Sequence, residues 1–206
     1  MKVLLINGSP HEKGCTYTAL SLIAGELKAQ GIETEILHVG GQPVGGCIGC
    51  GGCRSGNGCV FGGVVNEAIE KAKTADAFVF GSPVHYASAA GNMASFMDRL
   101  AYAGGKYLAY KPAAICCSAR RAGTTSTLDQ LVKYPQFFHM PLVNGSYWAM
   151  VHGSNPEQVL QDAEGCAVMQ ELGRNMAWLL RCIEVGKAAG IDHPQNPRRP
   201  MTSFIR

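Results

Sequence analysis

The sequence predicts an α/β protein: a three-layer α/β/α sandwich around a five-stranded parallel sheet, with strand order 2-1-3-4-5. Three observations carry this. Short apolar runs alternate with segments of helical period along the chain, the signature of strand–helix–strand units. The runs are close to uniformly apolar, as strands covered on both faces are. The tripeptide Gly-Ser-Pro ends two of them, at Gly8-Ser9-Pro10 and Gly81-Ser82-Pro83. That strand order makes those two strands neighbours at the switch point where such sheets bind ligands.

The elements follow in order. Lys2–Ile6 is a β-branched apolar run, so the first strand. Thr16–Gln30 is the first helix, with Leu20, Ile23 and Leu27 on one face and Gly31 as its C-terminal cap. Ile32–Val39 alternates imperfectly and reads as a half-exposed second strand. The stretch 40–63 is a long Gly/Cys loop, and a loop of that length in a compact domain is usually functional. Val64–Lys73 is a short helix and Ala75–Gly81 a buried strand closed by Ser82-Pro83. Asn92–Tyr102 is a helix with Met93, Phe96 or Met97, and Leu100 inward. Pro112–Ser118 is a buried strand, Thr124–Lys133 a helix, and Leu142–His152 a last strand, irregular near Gly145. Pro156–Ala189 is one long helical region, its apolar residues Met169, Leu172, Met176, Leu179 and Ile183 spaced by threes and fours. Residues 1–190 are expected to form one domain, and 191–206 a Pro-rich basic tail carrying Arg198, Arg199 and Arg206.

The 206 residues suffice for one sizeable core, and a chain 47% hydrophobic and 16% charged is globular. Net charge is +3 without a Lys/Arg stripe, which argues against nucleic acid. No apolar run reaches membrane-spanning length, and the chain starts in a strand without a leader-like segment. A soluble cytoplasmic protein is expected. Nine cysteines, an odd number, argue against a full disulfide framework.

The first chemistry is at Gly8-Ser9-Pro10-His11-Glu12-Lys13-Gly14-Cys15-Thr16. A buried strand, a Gly/Ser turn and a helix start make an anion site, because the first helical amides lack carbonyl partners and the dipole adds positive charge. The loop lacks Gly-x-Gly-x-x-Gly and Gly-Lys-Ser/Thr, so neither a dinucleotide pyrophosphate nor a nucleoside triphosphate suits it. Hydroxyls at Ser9, Thr16 and Thr18, with amides from Gly14 to Tyr17, suit a phosphate monoester. The plain alternative is a strand-to-helix turn capped by Thr16. The sharpest spacing is Cys47-x2-Cys50-x2-Cys53-x5-Cys59. Four thiols so placed suit a [4Fe–4S] cluster or a tetrahedral zinc; free or partly oxidised thiols are the other reading. Cys116, Cys117, Cys166 and Cys182 read as small buried hydrophobes.

Taken together, Asn7-Gly8-Ser9-Pro10…Gly14-x-Thr16, the four-cysteine loop, and Gly81-Ser82-Pro83-Val84-His85-Tyr86…Gly91…Phe96-x-Asp98-Arg99 resemble the NADPH-dependent FMN reductases of flavodoxin-like fold, and within them the iron–sulfur flavoprotein branch. The resemblance is strong over the first half and fades after Ser118. It implies FMN, NADPH as reductant, a homodimer or dimer of dimers, and reductase chemistry in one- or two-electron steps. Carried over by position, Ser9, His11, Thr16 and Tyr17 surround the phosphate, with amides from Gly14 and Cys15. Pro83, Val84, His85 and Tyr86 lie along the isoalloxazine. Apart from the resemblance, the loop after the fourth strand reaches the same carboxyl edge, so Ser118, Arg120 and Gly123 are placed to border the flavin and Arg120 or Arg121 to face reduced flavin or the NADPH 2′-phosphate, with solvated surface arginines as the alternative. Tyr147-Trp148 covers the ring or packs in an interface. The chain departs from the family at His11, often basic there, at Cys15, often Asn, and at Ala87, often Gly. The implied activity is an NAD(P)H-dependent flavin oxidoreductase passing electrons to free flavin, a quinone, a nitro or azo compound, or a protein carrier. A ferredoxin-linked iron–sulfur electron carrier and a cysteine-based redox sensor are the alternatives.

Overall fold

The computed structural model describes residues 1–197 and 200–202. Arg198, Arg199 and Arg206 of the tail lie outside the described residues. A parallel sheet runs in the order β2-β1-β3-β5-β6. Its strands are β1 (Lys2–Asn7), β2 (Glu33–His38), β3 (Ala77–His85), β5 (Ala113–Ala119) and β6 (Met150–His152), and a short β4 (Ser88–Ala89) pairs antiparallel with the end of β3. The expected order is therefore observed, with one hairpin strand added.

The apolar strands bury both faces. Val3 and Leu5 of β1, Val79 of β3 and Cys116 of β5 point into a core shared with α1 (Cys15–Ala29) and α6 (Ala163–Ala188). Leu4, Ile6, Phe78, Phe80 and Ile115 point the other way, against α2 (Val64–Thr74), α3 (Gly91–Gly104) and Leu131 of α4 (Thr124–Phe137). Met93, Phe96, Met97 and Leu100 all face inward, as the helical spacing requires. Helix α1 ends as its Gly31 implies. That residue is at φ 76°, its amide bonds Lys28 O at 2.9 Å, and the Ile32 amide bonds Leu27 O at 3.0 Å. This is a Schellman closure, with Ile32 packed in the same core as Leu27.

Four boundaries differ from the sequence expectation, each for a local reason. Strand β3 runs past Gly81 to His85, because Ser82 and Pro83 stay in register with Cys117 and Ser118. Helix α4 runs through Pro135, whose ring is buried with Leu131. The expected strand Leu142–His152 is a lone bridge at Leu142 followed by β6. Between them the chain bows outward, held by Glu171, which accepts bonds from Ser146 N at 2.8 Å and Ser146 Oγ at 2.6 Å. The long last helix is two: α5 (Pro156–Val159), capped by Asn155, and α6, capped by Asp162. Two capping residues within eight positions mark the break. Cys116 and Cys117 are buried as expected, Cys166 is half-buried, and Cys182 faces solvent on the outer side of α6.

Candidate functional site at the carboxyl edge of the sheet

The ends of β1, β3 and β5 bring together three segments that lie far apart in sequence. The first loop is organised from within. Asn7 Oδ1 accepts from Ser9 N at 3.1 Å and Asn7 Nδ2 donates to Glu12 O at 2.9 Å. Ser9 Oγ accepts from His11 N at 3.1 Å, and Gly8 N reaches across to Gly81 O at 2.9 Å. His38 Nε2 sits 2.7 Å from Ser9 O. His11 is exposed at the loop tip and Ser9 is buried.

Helix α1 starts one residue before the expected Thr16. Its N-cap is Gly14, and no side chain caps it. The amides of Cys15, Thr16 and Tyr17 thus have neither a carbonyl of their own helix nor a capping oxygen. Thr16 therefore does not cap the turn, contrary to the plain alternative's expectation. The Thr16 hydroxyl instead meets Ser118 Oγ at 2.8 Å, tying α1 to the end of β5, and both residues are buried. Thr18 Oγ1 turns back onto Gly14 O, away from the free amides. Cys15 is the first residue of α1; its thiol lies 3.5 Å from Gly153 O, and burial, with Glu157 nearby, pushes its pKa up. The thiol fastens the helix start to the turn after β6.

The second segment is a hairpin. Pro83–His85 ends β3, and Tyr86 and Ala87 form the turn with φ 50° and 58°. Two consecutive L-residues with positive φ are strained. The strain is held by α4. Ser126 Oγ donates to Ala87 O at 2.7 Å, and Gln130 Oε1 accepts from Ser88 Oγ at 2.7 Å and Ala89 N at 2.9 Å. Gly123, at φ 91°, lies so close that a Cβ there would stand 2.7 Å from Ala87 Cα. Tyr86 is fully exposed and Pro83 and Val84 are partly so, leaving an open face at the edge.

The third segment, Ser118 to Gly123, carries Arg120 and Arg121 exposed beside the hairpin's support. Tyr147 and Trp148 meet edge to face at 4.7 Å and are exposed where the chain bows away from β5. There they border, with Ile115, Leu128 and Val132, a cavity of about 480 Å³.

The cysteine loop begins beside the first loop: a Cβ on Gly40 would overlap Ser9 O. Cys47 and Cys50 are exposed, and Cys53 and Cys59 are half-buried. In number and chemistry the four thiols fit one thiolate-ligated centre. They are not gathered around a point: among the described residues no three metal-ligating side chains converge. The phosphate ester of a flavin mononucleotide fits better, since three uncapped amides, a helix dipole and the Ser9 turn lie beside an exposed hairpin.

The sequence displays the residues that line this edge, the buried Ser9, Thr16 and Ser118 among them, but not those that hold its loops in place. Asn7, Ser126 and His38 act on backbone groups, and Gln130 on the Ser88 hydroxyl and the Ala89 amide. Asn7 alone had a signal, an Asn at a strand end before Gly, where a side chain mimics a turn.

Comparison with known proteins agrees with this geometry. The family model described as NADPH-dependent FMN reductase matches residues 1–155. An iron–sulfur flavoprotein of Methanocaldococcus jannaschii is 27% identical over 192 residues, covering 89% of this chain and 100% of that protein. An iron–sulfur flavoprotein of Methanosarcina thermophila is 23% identical over 189 residues, covering 89% and 97%. Among solved structures, RosB with bound 8-demethyl-8-formylriboflavin-5′-phosphate superposes with TM-score 0.72 at 15% identity, covering 100% of this chain and 94% of RosB. A flavodoxin from the Archaea gives TM-score 0.60 at 14% identity, covering 88% and 99%. At those identities the structural likeness speaks for the fold.

Proposed function

The chain belongs to the NADPH-dependent FMN reductase family, and from that premise we propose that it is an FMN-dependent oxidoreductase that takes electrons from NAD(P)H and passes them to a small acceptor such as free flavin, a quinone or a nitro or azo compound. One observation carries this reading: the uncapped start of α1 stands at the same sheet edge as the open hairpin 83–90. FMN when bound supplies the hydride and single-electron chemistry. The protein's own work is binding and orientation. The Cys15, Thr16 and Tyr17 amides and the α1 dipole hold the phosphate, with the Ser9 hydroxyl and His11 at its rim. Pro83 and Val84 would lie along the ring, and Tyr86, with nothing packed over it, is free to cover the ring or a bound acceptor. Arg120 and Arg121 supply positive charge beside a reduced ring or the 2′-phosphate of NADPH. Assembly as a homodimer or tetramer belongs to the same reading.

Adding NADPH to the flavin-loaded protein without oxygen tests it. Loss of the oxidised flavin absorbance within seconds to minutes is expected. A flavin that NADPH and NADH both leave oxidised, but that a one-electron donor reduces, contradicts the reductase and favours the second reading. In that second reading the chain is an electron carrier whose four-cysteine loop takes a metal centre. The four thiols and the full-length relation to proteins named iron–sulfur flavoproteins support it.

A further inference from the structure

The cysteine loop enters and leaves through a neck made by three side chains. Asn92, at the start of α3, donates to Gly40 O at 3.1 Å and Gln42 O at 3.0 Å and accepts from Val44 N at 3.1 Å. Asn66 of α2 pairs with both backbone groups of Cys59, accepting from its amide at 2.8 Å and donating to its carbonyl at 3.0 Å. Arg99 of α3 joins the two stems. It donates Nη1 to Gly45 O at 3.4 Å, Nη2 to Gly62 O at 3.0 Å and Nε to Cys59 Sγ at 3.2 Å, and its guanidinium lies over the Phe61 ring at 5.5 Å.

Arg99 is 6% exposed, and among the described residues no carboxylate pairs with it. A guanidinium does not give up its proton, so a full charge is buried against two carbonyls, a ring face and one sulfur. A buried charge without a counter-charge is costly. The neck is therefore one negative charge short, and among the described residues the one group in contact with Arg99 able to bring it is the sulfur of Cys59 when it ligates a metal. Four thiolates around a divalent cation leave a net charge of about −2, which a neighbouring cation offsets in part.

We infer that Arg99 is the positioning residue of a four-thiol metal site: it draws the fourth ligand, Cys59, to the loop neck and supplies the counter-charge for the ligated thiolates. The inference rests on the reading that the cysteine loop takes a metal. Cys47, Cys50 and Cys53, between the two stems, would have to close onto Cys59 to ligate a metal with it, which would couple binding to local ordering. Asn66 and Asn92 hold the backbone for this, and Arg99 alone touches a thiol.

Cadmium added anaerobically to the flavin-loaded protein tests the inference, because the NMR shift of bound cadmium reports how many sulfurs ligate it. The wild type is expected to bind through four sulfurs. Arg99→Gln is expected to lose the Cys59 ligand and bind about 10–100-fold more weakly. Arg99→Lys, which keeps the charge but not the fork, is expected to keep four sulfurs with intermediate affinity. Retained flavin in each variant reports an intact fold, and Arg99→Lys carries the test where Arg99→Gln does not fold. Wild-type affinity through four sulfurs in both variants overturns the role of Arg99 and leaves the metal reading standing. A wild type that binds no cadmium through sulfur overturns the metal reading itself, and this inference with it.

Discussion

Thr16 and Ser118 share a buried hydroxyl pair across 102 positions of sequence, where the start of α1 meets the end of β5. Thr16→Val leaves the Ser118 hydroxyl buried without its partner, at a cost of about 1–3 kcal/mol. The double variant Thr16→Val/Ser118→Ala is expected to cost less than the two single changes summed, as equilibrium denaturation will read. Cys116 and Cys117 are residues of another kind. Burial pushes Cys117 from 9.0 up to about 12 and Cys116 higher still. Their folded-state pKa values lie above the unfolded ones, so the stability they contribute is complete below pH 9 and is lost as pH rises toward the folded values. Denaturant midpoints should therefore fall between about pH 9 and 11, and fall less in Cys116→Ala/Cys117→Ala. Neither thiol should react with maleimide under conditions that label the exposed Cys47 and Cys50. At this scale the sequence displayed the candidate residues but not their state. Cys166 and Cys182 both lie in the last helical run, and only packing shows that Cys182 faces water.

The hairpin after β3 is the element on which the site depends. Tyr86 and Ala87 are held at positive φ, and Gly123 beneath them has no room for a side chain. Ala87→Gly relieves an L-residue of that conformation at about 1–2 kcal/mol and gives back about 0.5–1 kcal/mol in chain entropy. A modest net stabilisation is expected, visible as a raised melting temperature. Gly123→Ala is expected to do the reverse, costing about 1–3 kcal/mol and weakening flavin binding by displacing the hairpin. A Gly123→Ala protein that melts and binds flavin like the wild type would show that the hairpin does not rest on this contact. Elements with strong period were legible: α1, α3 and the buried strands fall where their apolar spacing puts them. The hairpin was not, because a two-residue strand has no period and its turn lacks the glycine that normally announces it. The bowed segment before β6 was not legible either. Its course is set by Glu171 and Asn175 of α6, the latter donating to Asn144 O at 2.8 Å.

At the scale of the molecule, two cores on opposite faces of one sheet place three strand ends side by side, and the candidate site lies at those ends. The strand order was readable because the paired Gly-Ser-Pro tripeptides and the crossover rule leave few alternatives. What lay beyond reach was the cysteine loop. Its spacing announces four ligands, but the neck that holds it comes from Asn66, Asn92 and Arg99, on helices that follow it. Among the described residues no helix is long and apolar enough to cross a membrane. The central claim is that the start of α1 is the cradle of a flavin 5′-phosphate. Calorimetric titration of the flavin-free protein with FMN and with riboflavin, which differ by that phosphate alone, tests it most directly. Three charge-assisted amide bonds at about 1.5 kcal/mol or more each imply that FMN binds on the order of 1,000-fold more tightly. Equal affinity for the two flavins would contradict the account.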